Sequence, residues 1–112
     1  MIIYHNSTCS KSQCALNYLD EQGIEYKIIN YLTDVPTKQE LTLLVEKLNI
    51  NPEELIRKNE EDYNLHFDGK HLTADEWIDA MVRYPKLIQR PIVVNGNKAI
   101  VARPVEKILE LL

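Results

Sequence analysis

The sequence predicts an α/β fold in one domain, residues 1–112, with a β-α-β half and a β-β-α half separated by a helical insertion. Three observations predict it. The chain opens on an apolar run, Met1-Ile2-Ile3-Tyr4, followed by a polar loop and then by apolar residues at helical spacing. Its middle third carries two capping boxes, Thr37 with Glu40 and Thr73 with Glu76, each leading an amphipathic segment. Its last third holds two β-branched runs, Pro91–Val94 and Ala99–Ala102, around the turn signal Asn95-Gly96-Asn97-Lys98.

After the first strand, Ala15, Leu16 and Leu19 share a helical face and Gly23 supplies a stop, which predicts a helix over Ser10–Gln22. Residues 25–31 are rich in β-branched and aromatic side chains and predict a second strand, ended by Val35-Pro36. A strand-helix-strand unit of this length implies two parallel strands. Leu41, Leu44, Val45 and Leu48 then mark a helix reaching Asn49. Asn51-Pro52 opens a short helix whose turn is completed by Leu55-Ile56-Arg57-Lys58. The polar, acidic stretch 59–69 is expected as a surface loop or frayed helix. The box at Thr73 leads a helix through Trp77, Ile78, Ala80, Met81 and Val82 to Pro85. Pro104 opens a final helix with Val105, Ile108, Leu109 and Leu112 on its apolar side. The order β-α-β, helices, β-β-α is that of a thioredoxin-like fold with a helical insertion between its halves.

Bulk properties exclude several classes of function. A net charge of −4 with only four arginines, Arg57, Arg83, Arg90 and Arg103, argues against a general electrostatic grip on nucleic acid. No stretch approaches the about 20 apolar residues of a membrane span, and no basic-then-apolar leader opens the chain. A cytoplasmic monomer binding neither nucleic acid nor membrane is therefore expected. The histidines His5, His66 and His71 show no metal-ligand spacing with Cys9 and Cys14, so no metal is expected. Two cysteines make no disulfide framework, and in a reducing compartment such thiols are more often catalytic or redox-active.

Cys9 stands where the first helix begins. Unpaired backbone N–H groups and the positive end of the helix dipole there favour the thiolate, the nucleophilic form. The competing reading is a small buried hydrophobe, but Ser7, Thr8, Ser10 and Lys11 surround Cys9 and argue for exposure. Ser12, three residues on, can donate a hydroxyl hydrogen bond to the thiolate or serve only as a cap. His5 offers positive charge or a hydrogen bond beside the thiol, or is a loop histidine bonded to backbone. Asn6, Ser7 and Thr8 supply donors that, with the helix start, form a candidate anion nest. Cys14 is expected to be a buried core thiol. Five residues of helix advance about 7.5 Å, beyond the about 7 Å Cα separation a disulfide tolerates, so Cys14 is a poor partner for Cys9. Each arginine alone reads as a surface ion pair. Three converging on one thiolate would lower its pKa and grip a tetrahedral oxyanion.

His5-Asn6-x-x-Cys9-x-x-Ser12, Leu55-Ile56-Arg57-Lys58-Asn59, Leu87-Ile88-x-Arg90-Pro91-Ile92-Val93-Val94 and Ala102-Arg103-Pro104 together resemble the glutaredoxin-coupled, ArsC-like arsenate reductases, in order and over essentially the whole chain. The resemblance implies that Cys9 attacks arsenate or a similar oxyanion, that Arg57, Arg90 and Arg103 bind it, and that His5 and Ser12 assist the thiol. It also implies glutathione as co-substrate, glutaredoxin or alternatively thioredoxin as the protein reductant, and no bound cofactor. Gln13 stands where many relatives carry Arg. Two other functions fit the same fold: an Spx-like transcriptional regulator binding RNA polymerase, and a general thiol-disulfide oxidoreductase. Such regulators sense oxidants through Cys-x-x-Cys, and Ser12 in place of the second cysteine counts against that switch.

Overall fold

The computed structural model describes residues 1–6 and 9–112, which form two compact units: 1–34 with 90–112, and 35–89. The first unit is built on a four-stranded sheet of β1 (Ile2–His5), β2 (Lys27–Asn30), β3 (Ile92–Asn95) and β4 (Lys98–Val101), in the order β2-β1-β3-β4. β1 runs parallel to β2, with Ile3 beside Ile28, and antiparallel to β3, with Tyr4 beside Ile92. β3 and β4 form the expected hairpin, Asn95 pairing with Lys98. Its two-residue turn needs a positive φ, which Gly96 supplies at 63°.

The connection between β1 and β2 contains α1 (Ser10–Glu21). Its buried residues Ser12, Ala15, Leu16 and Leu19 fall at i, i+3, i+4 and i+7, so one stripe faces the sheet. That stripe packs in one core with Ile3 of β1, Val93 of β3, Ala102, Ile108 and Leu111. Gly23, at φ 68°, ends the helix in the left-handed conformation that a Cβ disfavours, and the Ile24 N–H reaches back to the Leu19 carbonyl at 3.0 Å.

The last element departs from expectation. Val105–Leu111 is a 3-10 helix, in which about three residues make a turn. That period puts Val105, Ile108 and Leu111 on one face. Ile108 and Leu111 are buried, while Leu109 and Leu112, expected on the apolar side, are exposed.

The second unit carries α2 (Lys38–Leu48), α3 (Glu61–His66) and α4 (Ala74–Arg83). Both capping boxes form, Thr37 with Glu40 and Thr73 with Glu76, each through reciprocal bonds between side chain and backbone. α2 and α4 pack together, with Lys38 bridging Asp75 and Asp79 on their exposed side. The helix expected through Lys58 is instead a 3-10 turn, Pro52–Leu55. Ile56 leaves it in extended conformation and forms an antiparallel bridge with Ile88, flanked by bonds from Arg57 N–H to the Leu87 carbonyl and from Gln89 N–H to the Leu55 carbonyl. Tertiary pairing thus overrides the local helical signal. The acidic stretch folds into α3, which has no buried residue of its own; Tyr63 and Phe67, in and after it, lie against the Trp77 ring.

The register of the last helix can be tested directly. Leu111→Ala is expected to cost about 2–4 kcal/mol of unfolding free energy, and Leu109→Ala under about 0.5 kcal/mol. Urea denaturation of the two variants measures the difference; equal losses would contradict the three-residue period.

Candidate active site around Cys9

The strand pairings bring three segments to one end of the sheet. β1 ends at His5 and leads to Cys9; β3, antiparallel to it, begins at Ile92, just after Arg90-Pro91; β4 ends at Val101, beside Ile92, just before Arg103. The Ala102 N–H donates to the Pro91 carbonyl at 2.9 Å, tying the last two segments together. Both Arg90-Pro91 and Arg103-Pro104 are cis.

Cys9 is the N-cap residue of α1, in extended conformation, with its N–H donating to the Asn6 carbonyl at 3.0 Å and its own carbonyl accepting from Gln13 N–H at 3.2 Å. These bonds tie Cys9 to Asn6 and to the first turn of α1. Sγ makes no strict capping hydrogen bond. Contrary to the expected exposure, Cys9 is only 8% exposed. Burial pushes its thiol up. The backbone N–H of Ser12, the Arg90 guanidinium, the backbone N–H of Lys11 and the Arg90 charge all favour the thiolate, and together they hold Cys9 below the ordinary thiol value.

Ser12 is fully buried. What it turns to the thiol is its backbone N–H, while its Oγ accepts the Asn6 N–H at 3.2 Å. The hydroxyl therefore ties Asn6 to α1, and the Asn6 N–H is engaged there rather than in an anion nest. Ser7 and Thr8, the other expected nest donors, lie outside the described residues. His5 is buried at the end of β1, and desolvation lowers its pKa. That shift works against the positive charge considered for the imidazole from the sequence. Its Nδ1 is buried without a hydrogen-bond partner among the described residues. Cys14, expected in the core, is exposed, as its place off the 12-15-16-19 stripe requires.

The arginines differ. Arg90 bonds the thiol, and its Nε and Nη1 are buried without a partner among the described residues. Buried donors of this kind are rare in proteins and mark a place where an acceptor fits. Arg103 is exposed, and no ion pair holds its guanidinium among the described residues. Arg57, in the second unit, is paired with Glu60 at 3.0 Å and donates to the Lys86 carbonyl at 3.1 Å. Only the i,i+3 spacing of the two residues hints at that pairing in the sequence. Among the described residues, no group of three or more His, Cys, Asp and Glu could hold a metal ion, and no helix is long and apolar enough to cross a membrane.

The model of the ArsC family matches residues 4–111. An "uncharacterized protein YfgD" of Escherichia coli K12 is 41% identical over 111 residues, which cover 97% of this chain and 93% of that protein. An arsenate reductase of the same strain is 40% identical over 111 residues, covering 98% of this chain and 79% of that protein. Among solved structures, an arsenate reductase from Vibrio cholerae superposes with a TM-score of 0.93 at 42% identity, covering 99% of this chain and 96% of that one.

If Arg90 sustains the thiolate, Arg90→Ala raises the pKa of Cys9, read from the pH dependence of its alkylation by iodoacetamide. Arg103→Ala leaves the titration in place, because that side chain is not among the groups acting on the thiol. An unshifted profile in Arg90→Ala would show that this guanidinium does not act on Cys9.

Proposed function

Because the chain belongs to the ArsC family, we propose that it is a cytoplasmic, thiol-dependent reductase of arsenate to arsenite, with Cys9 as nucleophile and arginines as the oxyanion site. The observation that carries this reading is the pairing of a depressed-pKa thiol with a guanidinium that still has two buried donors without partners, Nε and Nη1 of Arg90. A disulfide bond carries no charge of its own to meet those donors beside the thiol, whereas a tetrahedral oxyanion accepts from a planar fork. Arg103 is available from the same end of the sheet. Arg57 is proposed as the third guanidinium on its sequence match alone.

The chemistry balances with two thiols. The Cys9 thiolate attacks arsenic, an As–S bond forms, and one arsenate oxygen leaves as water after taking up protons. Arginine donors offset the charge that builds on the remaining oxygens. A glutathione thiolate then attacks the Cys9 sulfur. The S–S bond forms, the S–As bond breaks, and its electron pair stays on arsenic, which departs as arsenite. Glutaredoxin, with further glutathione, returns Cys9 to the thiol. An external reductant suits the geometry, since Cys14 is about 7.5 Å further along the helix axis and is turned outward. The low exposure of Cys9 also favours a small attacking thiol over a folded protein. A reducing compartment keeps both thiols available.

Arsenate-dependent NADPH oxidation, with glutathione, glutaredoxin and glutathione reductase, tests the proposal. Wild type is expected to be active and Cys9→Ser inactive; Arg90→Ala and Arg103→Ala are each expected to raise the arsenate KM about 10- to 100-fold, as for loss of a charge-assisted bond. Silence with both glutaredoxin and thioredoxin would reject arsenate as substrate. Activity on glutathionylated peptides that survives Arg57→Ala and Arg103→Ala would instead identify a general thiol-disulfide oxidoreductase.

A further inference from the structure

We infer that the Cys9 site also reduces hydrogen peroxide to water, with the unpartnered buried donors of Arg90 meeting the oxygen that departs; this does not rest on the arsenate reading above. Every group involved lies in the first unit. Cys9 stands at the start of α1 and is buried, which turns away bulky electrophiles and favours the smallest oxidants. Arg90 bonds its thiol, and Nε and Nη1 of the same guanidinium are buried without a partner among the described residues. One group thus bonds sulfur and still has donors for an atom that sulfur attacks. Peroxide asks of a site what an oxyanion asks: donors placed beside the nucleophile, where an oxygen gathers negative charge.

The Cys9 thiolate attacks one peroxide oxygen. An S–O bond forms, the O–O bond breaks, and its electron pair leaves on the second oxygen as hydroxide, which takes a proton from solvent to become water. Sulfur is oxidised by two electrons to the sulfenic acid, and peroxide is reduced by two. A low-molecular-weight thiol then attacks that sulfur, a mixed disulfide forms as water leaves, and a second such thiol restores Cys9. Cys14 is poorly placed for this second step, being about 7.5 Å further along the helix axis and exposed. Arginine stays protonated throughout, so Arg90 donates hydrogen bonds rather than a proton. Its part is to meet charge that develops on the leaving oxygen only as the O–O bond breaks.

This role is separable from sustaining the thiolate. Alkylation by iodoacetamide uses the same thiolate but releases iodide, which needs no donor to oxygen. Dimedone labelling and mass spectrometry read the sulfenic acid at each cysteine, with rates taken at a pH above the thiol titration of each protein so that all are compared as thiolates. In wild type, Cys9 is expected to react with hydrogen peroxide at least about tenfold faster than exposed Cys14 of the same molecule. Equal rates would overturn the inference without recourse to any variant.

Arg90→Ala is expected to slow the peroxide reaction of Cys9 about 100-fold, as for loss of one oxyanion-hole donor, and to leave its alkylation at that pH within about threefold. An equal loss in both reactions, or in neither, would overturn the role of Arg90 in breaking the O–O bond. With glutathione in excess, wild type is expected to consume hydrogen peroxide over many turnovers and Cys9→Ser to consume none beyond the background of glutathione alone. Consumption that stops after one equivalent would overturn the catalytic cycle. None of these readings involves arsenate, so a protein that fails to turn over arsenate and passes them rejects only the arsenate reading.

Discussion

The antiparallel pairing of β1 with β3 is the constraint on which the site depends. Because Tyr4 lies beside Ile92, the chain enters β3 at the same end of the sheet at which β1 leaves it, and the residues preceding β3 arrive where α1 begins. Arg90 is separated from Cys9 by 81 positions in sequence, yet its guanidinium bonds the thiol. The hairpin then returns the chain to that end through β4, which delivers Arg103. A register slip of one residue in β3 would turn Ile92 and Val94 to the opposite face and move the arginine away from the helix start. Core packing and site assembly are therefore set by the same ladder: the Ile3–Val93 pair that anchors the sheet under α1 also fixes the place of Arg90.

That placement contributes to the state of the thiol. Burial of Cys9 disfavours its charge, and a helix start offsets about 0.3–1 kcal/mol at an exposed position and up to about 2 kcal/mol in partly buried geometry. The Ser12 N–H contributes most in the other direction, followed by the Arg90 hydrogen bond, the Lys11 N–H and the Arg90 charge. The net depression of the pKa thus joins the local helix start to a contribution from long-range topology. The same cysteine at the same helix start, without the strand that carries Arg90, would lose two of its four stabilising contributions.

The parts of the fold legible in the sequence were those governed by short-range rules. The 12-15-16-19 stripe, the two capping boxes, Gly23 and the Asn95–Lys98 turn each carry their geometry within a few residues, and each formed as expected. The family resemblance to the ArsC-like reductases was legible because its motifs run in order along the whole chain. Where the reading failed, a general preference or a local signal was set against tertiary context. The habits of cysteine point Cys14 to the core, whereas its position off the buried stripe turns it outward. The final helix was read at 3.6 residues per turn, but Val105-x-x-Ile108 suits a three-residue period equally, and only packing against β3 and β4 distinguishes them. The Pro52 helix stopped at Leu55 because Ile56 found a partner in Ile88, 32 residues later in sequence. Likewise, nothing local revealed that Ser12 would turn its N–H, not its hydroxyl, toward the thiol.

The proposed chemistry also places a demand on Arg90 that its geometry helps to meet. An arsenate dianion approaching a thiolate is repelled, and at about 4 Å with an effective dielectric near 20 each pair of like unit charges costs on the order of 4 kcal/mol. A helix N-terminus alone, with about half a unit of positive charge, is too weak to neutralise three negative charges. A guanidinium between the two anions attracts both, provided that it can donate in two directions at once. Arg90 reaches the thiol while Nε and Nη1 remain buried and unpartnered among the described residues. Lysine at this position would carry the same charge as a point, without a rigid fork able to face sulfur on one side and oxygen on the other. The side chain that helps the helix start to depress the thiol's pKa is thus also the one whose buried donors suit the proposed oxyanion.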